Sequence, residues 1–206
     1  MLEIKNTEVF GLERSIKASG NPMTIGEINT QEQIQPKDYK RGKALGSNPV
    51  GSAHDHYLCG VHVQFDIKYP QYWTIEAERY HWFDIISSQS KMHKLILMGK
   101  NSEFDAMFND YVDYRSIAIV KEYIESYELH KKHGEDLYKP FMRIISNLPM
   151  GFELWMTCDL NYLQLKTMYI QRKNHRLAED WGAFCEWCES LPQFIELCFK
   201  SVDTSL

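Results

Sequence analysis

No stretch of this 206-residue chain approaches the roughly 20 consecutive apolar residues that a helix needs to cross a bilayer, so no membrane partner is expected. The first residues, Met1-Leu2-Glu3-Ile4-Lys5-Asn6, lack a basic stretch leading into an apolar one, and no secretory signal is expected. Cysteine is sparse. Five residues, an odd number without framework spacing, do not make a disulfide scaffold, and they point to a reducing, cytoplasmic setting. A basic block is also missing, and the net charge is −5, which argues against a surface that coats a nucleic-acid polymer. A local basic pocket for a single nucleotide remains compatible with that balance. Repeats and low-complexity segments are absent. What is present is 44% hydrophobic and 25% charged residues, the balance of a soluble globular chain with one substantial core. Aromatics reach 13% and are expected mainly in that core.

Turn-forming residues punctuate positions 1–50 repeatedly: Gly20, Pro22, Gly26, Pro36, Gly42, Gly46 and Pro49 among them. This predicts an irregular leading segment with at most a short strand or helix near 9–16. Residues 58–68 give the clearest strand, with Val61, Val63, Phe65 and Ile67 alternating with polar neighbours and Tyr69-Pro70 closing it. A helix is expected over 71–86, broken by Ser87-Ser88-Gln89-Ser90. One long or two kinked helices should cover 103–133, stopped by Gly134, with another helix over 135–147. Residues 152–158 alternate as a second strand, and Asp159 is a candidate N-cap for a helix over 160–173. A last helical region spans 179–199 with a break near Pro192. Helices and strands intermixed in this way predict a mixed α/β (α+β) fold: a single domain over 1–206 whose core, 51–199, is a small sheet flanked by long helices.

Two segments bring chemistry-bearing residues together. The helix from Asn161 to Arg172 carries Lys166 and Arg172 and is followed by Lys173, His175 and Arg176. Arginine offers a planar fork that suits a phosphate or a uracil carbonyl. The same cations also suit a solvated helix end complementing the macrodipole. The second segment, Tyr80-His81-Trp82 followed after seven residues by Ser90, ends in hydroxyls and backbone N–H groups that can receive an anion. Other patterns are weaker. His54-Asp55-His56 with His62 lacks a further ligand at metal-site spacing. Cys185-Glu186-Trp187-Cys188 is a lone CxxC, read as small core residues. The stripe Trp181, Phe184, Trp187, Cys188 and Leu191 has the spacing of a buried helix face.

Tyr80-His81-Trp82…Ser90 resembles the R-H-R-x7-S motif of flavin-dependent thymidylate synthases with both arginines replaced. Asn-Tyr-Leu-Gln-Leu-Lys-Thr-Met-Tyr-Ile-Gln-Arg over 161–172 resembles that family's Asn-to-Arg helix. His54 and Phe65 fit its strand and preceding turn. Ser88-Gln89-Ser90-Lys91-Met92-His93 and Gln171-Arg172-Lys173-Asn174-His175-Arg176-Leu177 are similar to a divergent, phage-type branch. The resemblance covers about residues 51–190. It implies methylation of dUMP to dTMP, or a close C5-alkylating variant on a pyrimidine nucleotide, with FAD, and with NADPH and methylenetetrahydrofolate as co-substrates. It also implies a homotetramer with sites between subunits.

By position, Arg172 matches the residue that polarises uracil, His81 the motif histidine, Ser90 the motif serine and Asn161 the helix-start asparagine. Ser88 and Ser90 are expected nucleotide contacts, Arg79, Lys91 and Lys166 are expected to substitute for the lost arginines there, and His81, Gln89, Asn161 and His175 are expected near the flavin. Several charges of the motif are replaced: Tyr80 and Trp82 stand for arginines, Leu163 and Met92 for two more, Ser88 for an acidic residue, and Cys59-Gly60 for a Glu-His pair. Each lost charge-assisted hydrogen bond is worth about 1.5–3 kcal/mol. Two readings stay open: an active enzyme of this type, and a catalytically silent nucleotide- or flavin-binding homologue on the same fold.

Overall fold

The computed structural model describes residues 2–30 and 32–200. The leading segment is ordered into β1 (Glu3–Phe10), α1 (Leu12–Ala18) and α2 (Pro36–Gly46). A 3-10 turn at His56–Gly60 leads to β2 (His62–Pro70), α3 (Gln71–Ala77), β3 (Asp84–Ser88) and α4 (Lys91–Met98). A 3-10 turn at Phe104–Met107 precedes α5 (Tyr114–Lys132) and α6 (Tyr138–Asn147). The chain closes with β4 (Glu153–Asn161), α7 (Tyr162–Arg172), α8 (Ala178–Ser190) and α9 (Phe194–Cys198). This is the mixed helix-and-small-sheet architecture that the periodicities predict.

The strands form a four-stranded sheet in the order β1-β2-β4-β3. Cross-strand side-chain pairs fix the antiparallel register of its centre. His62 Nδ1 lies 3.0 Å from Asp159 Oδ1, Thr157 Oγ1 donates to Asp66 Oδ1 at 2.6 Å, and Lys68 Nζ pairs with Glu153 at 2.8 Å, so one strand ascends as the other descends. Val61, Val63, Phe65 and Ile67 are buried as expected. Tyr69 and Pro70 extend β2 rather than closing it.

Two compact units emerge from the packing. The first comprises residues 68–81 and 87–156. Its core includes Trp73, Leu95, Ile124, Ile144 and an aromatic cluster in which Phe108 lies 5.2 Å from Phe104 and 5.1 Å from Phe152. Gly134, at φ 70°, ends α5, and the Glu135 amide reaches back to the His130 carbonyl at 3.0 Å; this is the stop that the glycine predicts. The second unit comprises residues 2–67, 82–86 and those from 157 onward. Its core holds Ile16, Leu58, Phe65, Tyr162, Trp181, Phe184 and Phe194. The aromatic stripe of α8 lies in that core: Trp181, Phe184 and Cys188 are buried, and Phe65 meets Trp187 at 4.4 Å.

Three expectations are corrected. The leading segment is not irregular. Gly42 and Gly46 sit inside α2 because a Cβ at Gly42 would press on Ile16 and Tyr57, and one at Gly46 would collide with the Leu197 carbonyl and the Tyr57 hydroxyl. They are close-packing glycines, not turn glycines. The helix over 71–86 ends at Ala77, and residues 84–88 form β3. Nearly every β3 side chain is exposed, so it carries no alternation to read. The N-cap of α7 is Asn161, not Asp159: Asn161 Oδ1 accepts the Gln164 amide at 3.0 Å and Gln164 Oε1 accepts the Asn161 amide at 2.7 Å. Asp159 belongs to β4, where it also accepts from Gln64 Nε2 at 3.0 Å. Asn161→Ala is expected to destabilise the fold by about 1 kcal/mol in urea denaturation, with Asn161→Asp close to the parent.

Candidate functional site

In the first unit, the head of α4 gathers four of the expected nucleotide and flavin contacts. Ser88 ends β3 and is exposed. Gln89 is tied to β4: its amide donates to the Trp155 carbonyl at 2.9 Å, and its Oε1 accepts the Trp155 amide at 3.0 Å. That pairing fixes the turn and leaves Gln89 Nε2 as its side-chain donor. Ser90 is the N-cap of α4. Its Oγ accepts the His93 amide at 3.3 Å and lies 2.8 Å from His93 Nδ1. His93 therefore joins this cluster beyond the expected set, and its signal was the capping spacing, Ser90 followed three residues later by a polar side chain.

Lys91 donates from Nζ to Gln71 Oε1 at 2.7 Å. An ammonium group only donates, so the amide oxygen of Gln71 must face it. The other end of that amide, Gln71 Nε2, is buried without a hydrogen-bond partner. A helix N-terminus, a lysine and an orphaned amide donor make a set that an acceptor-only group such as phosphate satisfies. Arg79 is largely exposed and lies 3.8 Å from Glu76, while His81 is exposed on the turn after α3. Among the described residues, neither is joined to the α4 cluster by a hydrogen bond.

In the second unit, α7 presents Arg172 at its last turn. The guanidinium lies over the Trp181 ring, 4.7 Å from its centroid, and is half-buried. A cation over an aromatic face at this distance is a favourable contact. His175 packs edge-on to the same indole at 6.0 Å, and its Nδ1 accepts the Leu177 amide at 3.2 Å. That bond leaves Nε2 to carry the proton of the neutral ring. Asn161 lies at the opposite end of α7, occupied in its capping box. Arg172 and His175 are thus brought together by Trp181, and Asn161 is not brought to them.

Lys166 requires a correction. It does not face a substrate: it is 2% exposed and donates to Asp55 Oδ2 at 2.7 Å, to the Gly46 carbonyl at 2.7 Å and to the Asn48 carbonyl at 2.5 Å. All three ammonium donors are taken internally. Asp55, the centre of the His54-Asp55-His56 triplet, is itself 1% exposed and committed to this pair. Among the described residues, no group of three or more His, Cys, Asp or Glu side chains is arranged to hold a metal ion. Cys185 and Cys188 are free and buried, and burial pushes the Cys185 thiol up to about 11 and Cys188 well above its ordinary value. Neither is a thiolate at neutral pH. Among the described residues, no helix is long and apolar enough to cross a membrane.

No sequence-family profile and no curated protein sequence matches the chain. Solved structures do. The flavin-dependent thymidylate synthase ThyX from Helicobacter pylori, complexed with FAD and dUMP, superposes with a TM-score of 0.70 at 15% identity, covering 96% of this chain and 98% of that one. A second structure of that enzyme with FAD and dUMP gives 0.70 at 14% identity over 97% and 98% of the two chains. A UMP/dUMP methylase, PolB from Streptomyces cacaoi bound with 5-Br dUMP, gives 0.54 at 11% identity over 92% and 90%. The chain therefore carries, over nearly its whole length, the fold of the flavin-dependent thymidylate synthases.

Proposed function

We propose that this chain binds a pyrimidine nucleoside monophosphate and, together with reduced FAD, methylates dUMP at C5 or carries out a close C5-alkylating variant. The observation that carries this reading is the likeness of fold, over 96% of the chain, to a synthase complexed with FAD and dUMP. The donor set at the head of α4 supports it. Ser88, Ser90 and Lys91 are the proposed phosphate contacts, with Gln71 Nε2 as a further donor and the exposed Arg79 as a further cation. Arg172, which lies over the Trp181 ring, donates to a uracil carbonyl and favours the electron-rich form of the ring that C5 chemistry requires. His81, Gln89, Asn161 and His175 are assigned to the polar edge of the flavin. When bound, the flavin supplies the reducing equivalents, drawn from NADPH, and methylenetetrahydrofolate supplies the one-carbon unit. The protein's share is to orient the base, neutralise phosphate and exclude water. A homotetramer is part of the proposal, with residues of more than one subunit completing each site.

One observation favours a second reading. Tyr80, which stands for a motif arginine, is 8% exposed and belongs to the core of the first unit, so it offers no replacement cation. The second reading is a silent homologue that keeps the nucleotide or flavin site without turnover. Titrating FAD into the purified protein, followed by flavin fluorescence with and without dUMP, separates the two together with an assay for dTMP. Saturable FAD binding tightened by dUMP, with dTMP formed, is the expected result. Binding without turnover selects the silent homologue. No FAD binding in either condition overturns the proposed function.

A further inference from the structure

A groove lies wholly within the second unit, between the last turns of α2 and α7 on one side and α9 with Phe199 and Lys200 on the other, with a volume near 710 Å³. Sites for small molecules enclose about 300–1,000 Å³, so the size suits one. Ala44, Ile195 and Phe199 supply an apolar wall. The floor is fixed. Tyr169 is buried, its hydroxyl donates to Glu189 Oε1 at 2.5 Å, and its ring meets Phe199 at 5.0 Å and Phe194 at 6.1 Å. A floor ordered before binding spares a ligand the cost of ordering it.

Three lysines line the groove: Lys43 from α2, Lys173 from the cap of α7 and Lys200 after α9. Against them stands one carboxylate of the described residues, Glu196. Lys173 Nζ lies over the Tyr169 ring, 5.4 Å from its centroid. Among the described residues, none of the three ammonium groups pairs with a carboxylate, so all three are open to a ligand. In a chain of net charge −5 this is a local reversal of sign, and it attracts anions. Arg172, one position earlier on α7, turns instead to Trp181, so the groove and the proposed uracil contact use different faces of the helix.

We propose that this groove is a second ligand site, for a small flat ring bearing a phosphate monoester, with Ile195 and Phe199 against the ring and Lys43, Lys173 and Lys200 around the phosphate. A monoester carries a charge of about −1.5 to −2 at neutral pH, which matches the excess of lysine over carboxylate on the wall. Its oxygens accept and ammonium groups only donate, so every contact is of the matching kind. The proposal does not rest on the nucleotide reading, none of whose residues lines the groove.

Pyridoxal 5′-phosphate is the probe, and pyridoxal, which lacks the phosphate, is the control. The aldehyde condenses with a lysine amine to an imine with loss of water, borohydride adds hydride to the imine carbon, and peptide mass mapping locates the label. Lys43, Lys173 or Lys200 should take up a single label per chain, about tenfold or more faster than with pyridoxal, the worth of one charge-assisted contact. Lys43→Gln combined with Lys200→Gln, both at exposed positions, should leave the thermal melt unchanged and abolish the preference for the phosphate at Lys173. A preference that survives this double variant overturns the site. Equal rates with the two aldehydes, or label spread over exposed lysines elsewhere, also overturns it and leaves the three lysines as complements of helix C-termini. Label confined to Lys91 overturns it too, since the phosphate would then be held only at the head of α4. Protection of the groove lysines by dUMP or FAD overturns the second site by making the groove part of the nucleotide or flavin site.

Discussion

Lys166→Met is expected to cost about 3–5 kcal/mol of stability, because it removes one partner of a buried ion pair and leaves the other charged. Asp55 would keep its carboxylate at 1% exposure with no cation beside it, and the Gly46 and Asn48 carbonyls would lose a donor at the same time. Methionine fills the aliphatic volume of lysine, so packing loss contributes little, and the cost reports the charge. The midpoint of urea denaturation should fall at unchanged slope, and the thermal midpoint should drop by roughly 2–4 °C per kcal/mol for a chain of this size. The double variant Asp55→Leu with Lys166→Met should recover much of the loss, since removing both charges leaves only the two carbonyls uncompensated. A single-variant cost below about 1 kcal/mol, the usual worth of an exposed pair, would show that water reaches the ammonium and that the clamp is not dry.

That clamp marks where sequence reasoning stops. A lysine in an amphipathic helix, five residues after the N-cap, looks like any other surface cation until the partner arrives from 111 positions away. Long-range electrostatic pairing leaves no periodicity. The strand carrying Val61, Val63, Phe65 and Ile67 was legible because a half-buried strand must alternate, and so was the end of the helix Tyr114–Lys132, which Gly134 stops, but not its start, since the helix expected from 103 begins only at Tyr114. Strand β1 was not, since six of its eight residues are exposed and the rule of alternation has nothing to act on. Gly42 and Gly46 misled for a physical reason: a glycine needed for close helix packing and a glycine needed for a turn look alike in sequence.

The site shows the same division. Ser90 and Arg172 became candidates through the resemblance of their segments to family motifs, and the structure gives each a defined local setting, a helix cap and an indole contact. The orphaned amide of Gln71 was invisible, because only the fold brings it to Lys91.

Arg172→Ala should abolish nucleotide-dependent turnover while leaving the fold intact. The structural cost is small: the guanidinium stacks on Trp181 from a half-buried position, an arrangement worth about 0.5–1 kcal/mol near the surface. The proposed functional cost is larger. A charge-assisted hydrogen bond to a pyrimidine carbonyl contributes about 1.5–3 kcal/mol, so nucleotide affinity should weaken by roughly 10- to 150-fold. If the contact strengthens as charge develops on the ring, turnover falls further than affinity does. Arg172→Lys separates charge from geometry. Lysine keeps the charge but has no planar fork to lie on the indole and donate edgewise, so it should restore little. The measurement pairs a nucleotide titration with single-turnover formation of dTMP, alongside a thermal melt. An alanine variant that binds dUMP and turns it over like the parent would remove Arg172 from the site and leave the cations of α7 as a solvated helix end.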